Sequence, residues 1–245
     1  MKKTIFTLVL TLVAFTSNAQ TSPRGDLDGD GVVSVSDVME LVKIILYGDA
    51  PKAYLTCPDD HHPHLIDLGL PSGTKWACCN VGADKPEAYG GYYAWGETEE
   101  KSNYHLSTYI HWDGSSSTCH DLGSDIAGTQ YDVAHVKWGG SWVMPTHDQQ
   151  MELCDNCTYE WTTVNGVNGG KYTSMSNGGS IFLPAAGYRY DSGLGYAGSE
   201  GYYWTSAQGP SDTYYAVSLD FGSGYTYWYY HYRYYGRSVR PVSRN

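Results

Sequence analysis

Basic residues are scarce in this chain: 15 Lys and Arg stand against 26 Asp and Glu, for a formal net charge of −11. Such a surface is a poor match for nucleic acid, because phosphate binding needs clustered Lys and Arg. It suits calcium better. Long apolar runs are missing as well: after residues 5–15 nothing approaches the ~20 apolar residues of a spanning helix, so no transmembrane segment is expected. No general acid, base or nucleophile stands out. His120-Asp121, His135 and His147-Asp148 are scattered, and no pair of carboxylates is marked out as the acid and base of a glycosidase. The expectation is a protein that is not an enzyme.

What is present begins with MKKTIFTLVLTLVAFTSNAQ, which has Lys2 and Lys3, an apolar run and a small-residue site at Ser17-Asn18-Ala19. These three parts predict a secretory signal over residues 1–19 and a secreted or cell-surface destination. No Cys follows the cleavage site, so a lipid anchor is not supported. Six cysteines, Cys57, Cys78, Cys79, Cys119, Cys154 and Cys157, lie in a chain expected to be exported. Some disulfide pairing is therefore expected, with 15 complete connectivities open. Cys154-Asp-Asn-Cys157 has redox spacing without a βαβ context.

Asp26, Asp28, Asp30, Val32, Ser34 and Asp37 fall at ligand positions of a calcium loop. Three carboxylates, a backbone carbonyl, a hydroxyl or bridging water, and a carboxylate from the next helix form an oxygen set suited to Ca²⁺. Gly31 stands where the loop turns sharply. Val38, Leu41, Val42, Ile45 and Leu46 then mark one apolar helix face, ended by Gly48. Residues 25–48 resemble one repeat of a type I dockerin, with Asp37 in place of the Glu of an ordinary EF-hand. The resemblance implies calcium as cofactor and a cohesin-like partner in a larger, often polysaccharide-degrading assembly. That family usually carries two repeats, and no second DxDxDG loop occurs here. Residues 21–50 are assigned to this module and 51–63 to a linker rich in Pro and acids, whose Asp59-Asp60-His61-His62 cluster reads as solvated.

Residues 64–245 form the main domain. Its apolar segments are short and punctuated by glycine: 64–70 and 74–81 around Pro71-Ser72-Gly73 predict a hairpin. Strands are expected at 159–163, 171–175, 180–184, 201–206 and 214–221, with turns at Asn165-Gly166, Asn168-Gly169-Gly170 and Asn177-Gly178-Gly179. Residues 132–136 predict a short helical turn. A helix over 146–154 is capped by Thr146, with Gln149 in capping-box position. A mixed α+β class follows.

The segments IDLGLPSGTKWACCNVGA, YYAWGE, WGGSWVMPT, LCDNCTYEWT, IFLPAAGYR, GYYWTSA and YYGRSVRPV resemble, in that order, the Fibrobacter succinogenes major paralogous domain family. The resemblance implies a C-type-lectin-like fold, β-rich and irregular, and a surface or binding role without assigned chemistry. It is also similar to the fold of formylglycine-generating enzymes, but no Cys lies beyond Cys157 to supply their late cysteine pair.

Fourteen of the 24 tyrosines lie between Tyr188 and Tyr235. Tyr offers large contact area, few torsions to freeze and an adaptable hydroxyl. The expected contact residues are Tyr214, Tyr215, Tyr225, Tyr227, Trp228, Tyr229, Tyr230, His231, Tyr232, Arg233 and Tyr235, facing a glycan or a surface protein. Alternation along 225–235 predicts that one set of side chains is exposed and the other buried. A component of a polysaccharide-degrading assembly, or a structural adhesin or pilus-like subunit, is the alternative.

Overall fold

The computed structural model describes residues 64–210 and 212–243, together with Val38, which is helical. The chain divides between Tyr54 and Leu55 into two units, and the residues from His64 onward belong to the second. The signal, the linker and the calcium-loop residues Asp26, Asp28, Asp30, Val32, Ser34 and Asp37 lie outside the described residues.

Turn chemistry sets the local structure. Asn165 and Gly166 both have positive φ, 50° and 83°, as a two-residue type I′ turn requires. They close a hairpin of β4 (Cys157–Val164) and β5 (Val167–Ser174) with Val164 opposite Val167; the turn expected at Asn168-Gly169-Gly170 is corrected, since these residues lie within β5, paired with Thr163, Thr162 and Trp161. Beyond a second turn, β6 (Ser180–Pro184) completes a three-stranded sheet in the order β4-β5-β6. A second antiparallel sheet holds β9 (Glu200–Gln208), β10 (Tyr215–Gly222) and β11 (Tyr225–Tyr232), in the order β11-β10-β9. Its register sets Tyr215 against Tyr232 and Gly222 against Tyr225.

The ends of the domain meet. β1 (Leu65–Asp67) pairs with β2 (Lys75–Ala77), and β12 (Val242–Ser243) lies between β2 and β3 (Trp142–Val143). A small hairpin of β7 (Tyr188–Tyr190) and β8 (Gly193–Gly195) stands by itself as a two-stranded sheet.

Two α helices are described. In α1 (Val133–Trp138) the cap is Asp132, whose buried carboxylate accepts N–H groups of Ala134 and His135 on one oxygen and of Gly128 and Met144 on the other. Four donors on one carboxylate satisfy the helix start and pin two loops to it. Helix α2 (His147–Asn156) carries the expected capping box: Gln149 N–H donates to Thr146 Oγ1 at 3.2 Å, and Thr146 N–H donates to Gln149 Oε1 at 2.9 Å. Helices of 6 and 10 residues beside twelve strands make the described chain mostly β. The expected α+β class is corrected accordingly for the described residues, and the expected calcium module lies outside them apart from Val38. The physical reason is the density of Gly and Asn-Gly turns, which limits each element to a few residues and favours antiparallel hairpins.

Aromatic rings fill much of the core. Trp76, Trp95, Trp138, Trp142, Trp204, Tyr104, Tyr172 and Tyr203 are all nearly inaccessible, and each such side chain contributes about 1.5–3 kcal/mol by leaving water. Some of their polar tips find acceptors: Trp95 Nε1 donates to Thr205 O, Trp204 Nε1 to Tyr93 O, and Tyr203 Oη to Pro184 O, whereas Nε1 of Trp76, Trp138 and Trp142 has no partner among the described residues. Arg240 is buried among carbonyls, donating to Ala77, Cys78 and Phe182 and to Asn80 Oδ1. It ties the last strand to the first hairpin.

Candidate functional site on the outermost aromatic strand

β11 is the outer strand of its sheet and hydrogen-bonds to β10 alone. Tyr225, Tyr227, Trp228, Tyr229 and Tyr230 are all exposed, Tyr229 most of all at 56%. The expected alternation is thus corrected: exposure runs through consecutive residues 227–230, on both faces. The strand lies at the sheet edge, where the two-residue period of the side chains no longer separates inside from outside.

Packing still orders the rings. Trp228 meets the His147 ring edge-on at 4.7 Å, Tyr225 stacks on Tyr227 at 5.2 Å, and Tyr229 meets His231 at 5.4 Å. Tyr215 and Tyr232 form a stacked cross-strand pair at 4.9 Å. Tyr214 sets its edge against Tyr232 at 5.1 Å, and Tyr235 does so at 5.6 Å. Beside β11 a groove of about 460 Å³ opens, walled by Tyr215, Tyr229, Tyr230, Tyr232 and Tyr235. His231 and Asp212 supply its polar groups, and Gly209 and Pro210 its rim.

Arg233 does not belong to this surface. It is fully buried, its guanidinium 4.1 Å from the centre of the Trp95 ring, and it donates to the carbonyls of Thr213 and His120 at 2.5 and 3.1 Å. Its expected contact role is corrected to a structural one, because the chain turns inward after Tyr232.

Under β11 lies a buried polar cluster. His231 Nε2 is 2.6 Å from Asp220 Oδ2, while Asp220 Oδ1 accepts from Ser218 Oγ at 2.7 Å and from Arg237 Nη1 at 3.2 Å. Arg237 also donates to Ser218 Oγ at 2.7 Å and lies 4.8 Å from the rings of Tyr202 and Trp204. These are the residue types of a hydrolytic triad, wired otherwise. The Ser218 hydroxyl is buried and its proton goes to the carboxylate, so no nucleophile–base hydrogen bond exists. Burial lowers the His231 pKa against the opposing pull of Asp220, and burial likewise lowers that of Arg237. The Tyr232 hydroxyl beside it, together with burial, pushes the Tyr215 pKa up to about 12.

Some residues of this surface went unmarked in the sequence. Tyr190, Leu194 and Tyr196 are exposed around the β7–β8 hairpin. Tyr196 has φ of 59°, a left-handed conformation rare for a bulky residue. Its ring stacks on Tyr188 at 5.8 Å, and Tyr188 stacks on Tyr235 at 5.4 Å. Tyrosine density over 188–196 was the available signal. Asp212 had none.

Cys78, Cys119, Cys154 and Cys157 hold free thiols, so the expected disulfides do not form among these four. Burial raises the Cys154 pKa and pushes that of Cys157 up to about 11. Both lie at the C-terminal end of α2, where the helix does not favour a thiolate. Among the described residues no cluster of His, Cys, Asp or Glu could hold a metal, and no helix is long and apolar enough to cross a membrane.

A family model described as a domain of unknown function, DUF8237, matches residues 158–242. That span contains β4 from its second residue, β5 to β11 and the groove. No curated protein and no solved structure matches the chain.

Proposed function

We propose that this chain is an exported, non-catalytic recognition protein that holds a glycan or protein ligand on the aromatic surface around β11. Residues 21–50 serve as a calcium-stabilised, dockerin-like module for attachment or docking to a cohesin-like partner. The observation that supports the reading is an eight-residue outermost strand exposing four Tyr and one Trp beside a groove. Exposed aromatic area of this kind is costly unless something covers it. Ring–ring packing and the Asp220–His231 contact hold the surface in place, so little side-chain freedom is lost on binding.

The test is a glycan and protein array probed with the full chain. The wild type gives hits, and the triple variant Tyr227→Ala, Trp228→Ala, Tyr229→Ala loses them while keeping its melting temperature. Unchanged binding by that variant defeats the proposal.

A further inference from the structure

The groove beside β11 also carries information about ligand class. We infer that it takes an uncharged glycan chain, whose sugar rings lie against Tyr215, Tyr229 and Tyr230 while Asp212 accepts hydroxyl hydrogen bonds. This rests on the reading of β11 as a recognition surface and narrows it.

Size fits first. A cavity of about 460 Å³ lies within the range of small-ligand sites, roughly 300–1,000 Å³. Wall chemistry comes next. A pyranose presents C–H groups on its faces and hydroxyls around its rim, so it needs flat aromatic surface flanked by hydrogen-bonding tips. Tyr side chains supply both, and the Tyr215–Tyr232 stack is already ordered before a ligand arrives. Asp212 adds a directional acceptor: Oδ1 takes the Tyr214 N–H at 2.8 Å, which leaves Oδ2 unpartnered among the described residues.

Charge narrows the class. No Lys or Arg lines the groove, and its fixed charge is the Asp212 carboxylate. The nearest cation in sequence, Arg233, is turned inward onto carbonyls. A uronate, sulfate or phosphate polymer would place anions against an acidic wall without compensation. An uncharged chain meets no such penalty.

A peptide is the competing occupant, and it would use different atoms. Arg233 N–H donates to Tyr214 O, so the odd-numbered residues of β11 face β10. The N–H and C=O groups of Thr226, Trp228 and Tyr230 point to the open edge, where an added strand would pair. Such pairing does not need Asp212. The glycan reading does.

A row of rings leads away from the groove. Tyr235 belongs to its wall and stacks on Tyr188, which stacks on the exposed Tyr196. A chain long enough to reach the exposed Tyr196 therefore gains a ring that a short one held in the groove lacks.

The experiment is affinity electrophoresis of the full chain in gels containing hydroxyethyl cellulose, galactomannan or dextran, and in parallel polygalacturonate or alginate. At least one uncharged polymer retards the protein and the two anionic ones do not. Paired Tyr229→Ala and Tyr230→Ala weaken retardation about tenfold, on the order of 1.4 kcal/mol. Asp212→Asn weakens it about threefold. Tyr229→Phe, which keeps the ring, stays close to wild type, and this guards against misfolding as an explanation. Tyr196→Ala weakens binding of the polymer but not of a disaccharide of the same sugar.

Retardation by the anionic polymers alone, by none, or insensitive to Tyr229, Tyr230 and Asp212 overturns the inference. If no polysaccharide retards the protein while protein hits on the array vanish in the triple alanine variant, the recognition surface stands and the glycan assignment falls.

Discussion

Arg237 shows how closely the recognition surface depends on single buried residues. Its guanidinium has Asp220 as counter-ion and Ser218 as a second acceptor, with aromatic rings around it. Asp220 in turn fixes His231, whose neighbours are the groove tyrosines. Substituting Asp220→Asn removes the charge and strands a buried cation, which costs about 3–5 kcal/mol. Urea unfolding of the variant is expected to show that loss. The double variant Asp220→Leu with Arg237→Met, which removes both charges together, is expected to recover much of it. Equal losses in single and double variants would mean that the ion pair is not the controlling interaction. Arg237 and Arg240, in the Gly-Arg-Ser-Val-Arg-Pro ending, are both buried, and so is Arg233, which the sequence placed on the contact surface. A charged residue among tyrosines looks like part of a contact surface until Trp95, far away in sequence, is seen beneath it.

Among the elements, hairpins were the most legible. The 180–184 strand was expected over the residues that form β6, and the Asn165-Gly166 turn joins β4 to β5 as its dipeptide requires. Gly166 has φ of 83°, and a Cβ there would meet nothing within 4 Å. Gly166→Ala therefore isolates the backbone cost of the left-handed conformation, about 1–2 kcal/mol, and denaturant melts are expected to shift by that amount. A loss well above it would point to packing that the turn does not show. Helix α2 was legible for the same local reason, its Thr146/Gln149 box. Edge position was not legible. Nothing in YTYWYYHY says that β11 pairs on one side only, and the alternation argument failed because it presumes a covered face.

At the scale of the whole molecule the two units pose separate questions. The calcium loop was assigned from spacing alone and lies outside the described residues, so its test is thermodynamic. Calorimetric titration of Ca²⁺ into the chelator-treated full chain is expected to show one site, and Asp28→Ala to abolish the heat. No heat from the wild type would remove calcium from the proposal. In the second unit, the pairing of β12 between β2 and β3 closes the domain. Strand partners so distant in sequence leave no local mark.

By itself the sequence determined what near neighbours decide: the Asn165-Gly166 turn, the helix caps and the aromatic character of residues 225–235. These follow from φ preferences and from hydrogen bonds a few residues apart. Tertiary structure alone decided which rings are covered. Tyr203 and Tyr172 vanish into the core while Tyr229 and Tyr196 stand in solvent, though all are tyrosines in β-rich surroundings. Burial depends on partners brought together across the chain, and so did the groove in which Asp212 meets Tyr229 and Tyr230.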